Sequence, residues 1–562
     1  MNGGYLMSYQ ENYLKWKNES SLKEPLKSEL IELTESEIED AFYKELEFGT
    51  AGARGLMGVG TNRLNVYTVK KIVLGYAKYI KKQAKKTNYK IAISYDNRKN
   101  SREFAYTSAS VLAQEGIESY ITKELRPTPF LSYMVRHFHC DGGIMITASH
   151  NPKQYNGFKV YDKHGAQLIP EFADKLTIEV NKITDYFHIQ EKDSPEYIHE
   201  VTNDLDSAYL ARVKEIQLNP SLDKPLKFVY SPLHGAGATL IPTVLMSEGY
   251  KLYPVSEEMT PDGNFSHIAS SNPEEFDAYN GSLKLAKKID ADMIMVTDPD
   301  ADRLGVIVKH NGAYQILNGN QTASLELFYI LEQLTLKNKL PKDGVVYKSN
   351  VTTPLMDEIA KLYNIKVHEV LTGFKFIGDA IEKGKLPYLF GAEESYGSLI
   401  SPFVRDKDAV QAVLFLAEMA TYYHEQNRSL YQVLLDIYTR VGAYAEKTIS
   451  QTYEGVNGLN RISEIMAYYR ENVLSLSNDE VIRVEDNLTQ LATEDNHQVK
   501  IDLPKANVIK FIYKSGNIAI LRPSGTEPKL KIYLYIKGKN VEEANQKLGS
   551  IEKEILQKVK EI

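Results

Sequence analysis

Three aspartates alternate in Asp298-Pro-Asp-Ala-Asp-Arg303, between the apolar runs MIMV and LGVIV. With one residue between neighbours, the carboxylates of Asp298, Asp300 and Asp302 can converge from one side of an extended loop. Three such charges repel one another unless a cation holds them, and oxygen-only ligation favours a hard ion such as Mg²⁺. An EF-hand calcium loop needs glycine at its sixth position and glutamate at its twelfth; counted from Asp298 these are Arg303 and Lys309. A solvated acidic turn is the other alternative, and the flanking apolar strands with Pro299 between the aspartates make it the poorer one.

A nucleophile is offered by Thr147-Ala-Ser-His-Asn-Pro152, directly after the β-rich GIMITA. Parallel sheets place ligands at the carboxyl ends of their strands, where Ser149 falls. An unaided hydroxyl is weak and needs a base or a metal, and in isolation a Ser/Asn turn closing a strand is the better account of the segment. At another strand end, Gly391-Ala-Glu-Glu-Ser-Tyr-Gly397 offers Glu393 and Ser395 to the vicinal hydroxyls of a sugar, with a capped helix start as an equal alternative. Arg522-Pro-Ser-Gly-Thr-Glu-Pro528 lies between two strands. Arg522, the hydroxyls of Ser524 and Thr526 and the N–H groups around Gly525 suit a phosphate, against an ordinary hairpin turn.

The elements that must hold these loops alternate in type. Ile91–Asp96, Gly143–Ala148, Lys227–Ser231, Lys251–Val255, Met293–Asp298, Val345–Asn350, Lys366–Val370 and Tyr388–Gly391 read as strands, separated by helical stretches such as Arg102–Gln114, Gln321–Leu334 and Ala409–Gln426. This alternation implies parallel sheets covered on both faces. The C-terminal part differs: Val508–Tyr513, Ile518–Leu521 and Leu530–Ile536 are strands joined by short turns. Leu530, Ile532, Leu534 and Ile536 alternate with Lys531, Tyr533 and Tyr535, so one face is buried. Asn540 with Glu543 resembles a capping box, opening a helix whose stripe is Ala544, Leu548, Ile551, Ile555, Val559 and Ile562.

At 562 residues the chain exceeds one core, and three or four domains of roughly 100–200 residues each are expected. The boundaries fall near 206, 320 and 442, giving α/β domains at 1–206, 207–320 and 321–442 and an α+β domain at 443–562. A net charge of −7 gives no electrostatic reason to expect nucleic acid or an anionic membrane as partner. The single cysteine, Cys140, excludes an internal disulfide and paired-cysteine metal motifs; it reads as a small apolar residue in or near a strand. With no apolar N-terminal core and no run fit to span a bilayer, a cytoplasmic protein is expected. A GxxxxGK[ST] nucleotide loop is missing from the sequence.

Taken together, the four loops occur once each, one per expected domain. In that order the chain resembles the α-D-phosphohexomutase family over nearly its whole length. The TASHNP, DxDxDR, ExS and RxSxT segments carry the resemblance. FGTAGARG (Phe48–Gly55), DPDADRLGV and TGFKFIG (Thr372–Gly378) look most like its bacterial phosphoglucomutase and phosphopentomutase branch, while GAEESYG departs from the GEMSG form of the phosphomannomutase branch. The resemblance implies three doubly wound α/β domains and a TATA-binding-protein-like α+β domain around a central cleft. It implies a phosphorylated Ser149 that completes a Mg²⁺ shell with Asp298, Asp300 and Asp302, one ion per subunit. Arg54, Arg303 and His150 would balance charge. Lys159, or else His150, would accept the proton of the attacking hydroxyl, its pKa lowered by cationic neighbours. Arg522, Ser524, Gly525 and Thr526 would hold the non-reacting phosphate, Glu393 and Ser395 the sugar, and Lys375 would sense it. The implied activity interconverts glucose 1-phosphate and glucose 6-phosphate through glucose 1,6-bisphosphate, which also serves as activator. Mannose or pentose phosphates are the alternatives, and a sugar phosphatase is a further one.

Overall fold

The strand Gly142–Ile146 shows why the serine segment is displayed. Its residues are all buried and apolar or glycine, the pattern of a strand covered on both faces. It pairs parallel with Tyr89–Tyr95, which pairs parallel with Ile117–Thr122. The helices Val66–Gln83 and Ser101–Gln114 supply Val69, Val73, Phe104 and Leu112 to the core around Ile91, Ile93, Ile144 and Ile146. In the computed structural model, residues 8–49, 52–83, 85–453, 455–477, 479–495, 497–524 and 529–562 are described.

The chain groups into two compact units. One contains everything up to Gly319 together with Phe374–Tyr388 and Ser395–Tyr422; the other contains Asn320–Gly373, Leu389–Glu394 and Tyr423–Ile562. The first unit holds a seven-stranded and a five-stranded sheet. The alternation of strands and helices implied parallel sheets, and neither sheet is wholly parallel. Tyr155–Asp162 runs antiparallel to Gly142–Ile146, and Leu304–His310 antiparallel to Met293–Thr297. In both cases the intervening segment is one of the chemical loops, too short for the crossover that a parallel neighbour needs. The chemistry therefore sits on strand-to-strand turns, not on strand-to-helix turns.

In the second unit, Val345–Ser349 pairs parallel with Lys366–Val370. The C-terminal sheet is seven-stranded and antiparallel at every pairing. Three of its strands, Val481–Asp486, Leu491–Glu494 and His497–Lys500, carry no clean alternation because they form its exposed edge. On the strand Lys529–Gly538, Leu530, Ile532, Leu534 and Ile536 face the helices Gly455–Glu471 and Val541–Glu561, with Ile555 and Val559 buried and Leu548, Ile551 and Ile562 packed at the margin. The alternation implied one buried face; both are buried, since Tyr533 and Tyr535 are 1% and 2% exposed. Their face is covered by the rest of the unit, where the Tyr535 hydroxyl reaches the Val351 carbonyl. The capping box is shifted by one residue: Asn540 accepts from the Glu543 amide at 2.9 Å, but Glu543 answers the amide of Lys539 at 3.0 Å.

Cys140 is buried just before Gly142–Ile146, and burial pushes its thiol up to about 12, which leaves it inert. Among the described residues no helix is long and apolar enough to cross a membrane.

Candidate functional site

Ser149 lies in the turn between Gly142–Ile146 and Tyr155–Asp162 with φ of 51°, a left-handed conformation uncommon for a residue with a side chain. The Thr147 hydroxyl accepts from its amide at 2.8 Å. The backbone of the turn is held by Arg98, whose Nη1 donates to the carbonyls of Pro152 and Tyr155 at 2.9 Å each. Its Nη2 donates to those of Ser149 and Asn151. Ser271 adds a hydrogen bond to the His150 carbonyl at 2.9 Å. So braced, Ser149 Oγ donates to Asp298 Oδ2 at 2.7 Å.

The aspartates sit on a hairpin tip, with Thr297 opposite Leu304 and Ala301 at φ 49°. The loop is therefore turned back on itself and not extended. The Asp298 carboxylate braces it, its Oδ1 accepting from the amides of Asp302 and Arg303 at 3.1 and 3.0 Å. The carboxylates of Asp298, Asp300 and Asp302 are buried and offer oxygens within 4.8 Å of one another. Asp300 Oδ1 and Asp302 Oδ1 are buried without a hydrogen-bond partner. Buried carboxylate oxygens left unpaired on one side of a cluster are what a hard cation would satisfy, so the residues fit a divalent metal. Burial, followed by the charges of Asp300 and Asp302, holds the Asp298 carboxyl well above its ordinary value of 3.8.

Lys159 lies in the middle of Tyr155–Asp162, opposite Met145, and not at a strand end. Its Nζ donates to Asp300 Oδ2 at 2.7 Å and stands 3.5 Å from Asp302 Oδ2. Thr128 Oγ1 donates to the same Asp300 oxygen at 2.7 Å. Burial works against the Lys159 charge, but Asp300 and Asp302 outweigh both burial and the neighbouring Lys407, so its pKa is raised. The expectation that cationic neighbours lower it is not met, because carboxylates are the nearer charges. His150 behaves oppositely: burial, then Arg303 and Arg54, hold its pKa well below 6.5, and its Nδ1 is 3.3 Å from Ser149 Oγ. Arg54 donates to Asn151 Oδ1 at 2.6 Å. Arg303 pairs with Glu274 at 2.6 Å.

Lys407, which pairs with Asp302 at 3.1 Å, Thr128, Arg98 and Glu274 belong to this cluster without having been singled out in the sequence. Arg98 had one available signal, its place in Asp96-Asn-Arg98 at the end of a strand. It is a positioning residue, reaching the nucleophile only through backbone. Arg98→Lys keeps the charge beside Asp96 but cannot fork across the carbonyls. Turnover should fall about 10²-fold with KM nearly unchanged, because a misplaced reacting atom costs about that much. Steady-state kinetics beside a melting curve checks this, and an unaltered kcat refutes it.

Lys375, in the first turn of the helix Phe374–Lys383 and 8% exposed, and Ser395 are also in the first unit. Glu393, Arg522 and Ser524 are in the second. The sugar segment is a turn between the strands Tyr388–Glu393 and Gly397–Leu399, not a helix start. Glu393 Oε1 accepts from the Gly373 amide at 2.7 Å. Arg522 stands on the strand Ile518–Pro523 and donates to the Tyr533 hydroxyl at 3.3 Å. The Ser524 amide donates to the Lys529 carbonyl at 2.7 Å. Gly525 and Thr526 lie outside the described residues.

Models of the phosphoglucomutase/phosphomannomutase α/β/α domains I, II and III match residues 45–187, 207–312 and 318–441. The chain is 38% identical to the phosphoglucomutase of Staphylococcus epidermidis over 92% of its own length and 95% of the relative's. It is 37% identical to that of Staphylococcus saprophyticus over 94% and 96%. Among solved structures, parafusin of Paramecium, in an open form, superposes with a TM-score of 0.70 at 18% identity, covering 92% of this chain and 95% of that one. A phosphomannomutase-like structure from Thermus thermophilus gives 0.67 at 20%, covering 90% and 99%.

Proposed function

The chain belongs to the phosphoglucomutase/phosphomannomutase family, the α-D-phosphohexomutases, and we propose that it works as a phosphoglucomutase. In this reading it interconverts glucose 1-phosphate and glucose 6-phosphate through a phosphorylated Ser149 and glucose 1,6-bisphosphate. The observation that carries it is Ser149 Oγ at 2.7 Å from Asp298, beside two buried carboxylates that each keep an unpaired oxygen.

Asp298, Asp300 and Asp302 hold the metal, taken as Mg²⁺ because every donor is a hard carboxylate oxygen. Bound there, Mg²⁺ supplies Lewis-acid polarisation to the phosphoryl group. Ser149, aimed by Arg98 and Ser271, carries that phosphoryl group. Arg54 and Arg303 face its developing negative charge as fixed cations. The proton of the attacking sugar hydroxyl goes to Lys159 or to His150. A cation on Asp300 and Asp302 would weaken their hold on the Lys159 proton, and His150 is neutral at physiological pH. Arg522, Ser524, Gly525 and Thr526 hold the phosphate that does not react. Glu393 and Ser395 suit the vicinal diol of the sugar, which presents a similar face in both orientations, while Lys375 senses the sugar. Handling of such a substrate with one inert thiol fits a cytoplasmic setting.

Identity to phosphoglucomutases over most of the chain favours glucose over mannose or pentose. A phosphatase would need no holder for a second phosphate. The test follows glucose 6-phosphate and free phosphate together from glucose 1-phosphate, with mannose, glucosamine and ribose 1-phosphates in parallel. Glucose 6-phosphate should form fastest, with free phosphate far behind and traces of glucose 1,6-bisphosphate stimulating. Free phosphate appearing as fast as glucose 6-phosphate overturns the mutase reading.

A further inference from the structure

Glu274 is brought to the metal loop by a segment that is itself fastened to the nucleophile turn. Asp262 opens the segment, its carboxylate accepting from the amides of Asn264 and Ser266 at 2.8 and 2.9 Å. The Asp262 carbonyl accepts from Asn97 Nδ2 at 2.9 Å. The Phe265 ring lies 5.3 Å from the Arg98 guanidinium, on a backbone at φ 54°, an outlier for a bulky side chain. Ser271 then grips the His150 carbonyl. Asn272 Oδ1 accepts from the Glu274 amide at 3.1 Å, and the Pro273 carbonyl accepts from the Tyr279 hydroxyl at 2.7 Å. The backbone at Glu274 is thus held by the same segment that packs on Arg98 and the serine turn.

Its side chain is held by one cation at the rim. The Glu274 carboxylate is 38% exposed, and Arg303 Nη1 donates to its Oε1 at 2.6 Å. The guanidinium also has an inner edge. Arg303 Nε stands 3.9 Å from Asp302 Oδ1 and is buried with no hydrogen-bond partner among the described residues. A buried donor left unpaired is costly, and an oxygen of a phosphoryl group beside Asp302 would satisfy it. Arg303 therefore has an anionic partner at the rim and suits a second one inside. Two anions on one guanidinium repel, so each weakens the hold on the other.

We propose that Glu274 is the rival of the substrate phosphate for Arg303. It holds the guanidinium while Ser149 is bare and yields it when a phosphoryl group stands beside Asp302, so the bisphosphate is never held at full strength. The proposal rests on the mutase reading, in which the bisphosphate must exchange its two orientations within one turnover. Tighter holding would deepen that ground state and slow the exchange. Glu274 acts through Arg303 and is a positioning residue.

The experiment replaces the carboxylate by its isosteric amide, Glu274→Gln, and in a second variant draws it back by one methylene, Glu274→Asp. Glucose 1,6-bisphosphate is titrated calorimetrically into the full chain with Mg²⁺, in a Ser149→Ala background. Glu274→Gln should tighten binding about three- to fivefold, the worth of a partly exposed ion pair, and Glu274→Asp should tighten it less. With Ser149 in place, Glu274→Gln should lower kcat and KM for glucose 1-phosphate together by about that factor, the pattern of a ground state relieved of competition. A residue that merely shaped the loop would weaken binding and raise KM. Unchanged or weaker bisphosphate binding in both variants, or a raised KM, overturns this proposal and leaves the mutase reading intact. If the Ser149→Ala parent fails to bind glucose 1,6-bisphosphate, the mutase reading falls and this proposal with it.

Discussion

Ser149→Ala should lower turnover on the order of 10⁴-fold or more, because a covalent carrier is removed and what remains is binding and electrostatics. The fold should survive. Alanine has the same Cβ as serine, so the left-handed φ of 51° is strained no further. The lost hydrogen bond to Asp298 is worth about 1.5–3 kcal/mol at most, against a total stability of roughly 5–15 kcal/mol. Intact-mass measurement of the parent protein should show a fraction carrying one phosphate, which the variant lacks. Near-normal activity in the variant would end the proposal.

Removing the metal should have the next largest effect. Chelation should silence the enzyme and Mg²⁺ restore it. Asp300→Asn should cost about 10³-fold, the equivalent of roughly 4 kcal/mol of Lewis-acid stabilisation. Asp300 is the informative position because its Oδ2 already serves Lys159 and Thr128, each at 2.7 Å, while its Oδ1 is buried and unpaired. The amide therefore loses a metal ligand and also strips Lys159 of its nearest counter-charge, leaving Asp302 at 3.5 Å. Breaking a buried pair costs about 3–5 kcal/mol, so circular dichroism must accompany the assay. A readout apart from activity is thermal: a cation at 100 times its Kd stabilises the parent by about 2.7 kcal/mol, and the gain should vanish in the variant. Metal affinity should fall as pH is lowered, because the Asp298 carboxyl, held above 3.8 by burial and its two neighbours, must give up its proton to bind. An Asp300→Asn protein with full activity and undiminished metal affinity would sink the assignment.

The two predictions meet in one cluster whose members were unequally visible in the chain. Ser149 and the three aspartates were legible because their chemistry is local: a hydroxyl at a strand end, and carboxylates separated by single residues between apolar strands. Lys159 was legible as a lysine but not as the partner of Asp300, since that contact joins a strand of one sheet to a hairpin tip of another. Its raised pKa follows from that meeting and from nothing in its own segment. Arg98 left almost no mark, because it acts on carbonyl groups, which every residue carries.

By itself, the amino-acid sequence determined the alternation of strands and helices, the distinct C-terminal part and the four chemical loops, all set by periodicity and short spacings. Tertiary structure alone decided the direction of the strands beside the loops, because a link too short for a crossover shows its effect only once its strands are paired. It also decided that Tyr533 and Tyr535 are buried, since a pattern of alternation records which residues are apolar but not how many faces are covered. Adjacent Glu393 and Glu394 make the same point at the scale of one residue. Nothing in two consecutive glutamates says which is taken by a backbone amide and which by the hydroxyl of Ser349 on another strand, because hydrogen-bond partners are a property of the surroundings that folding assembles.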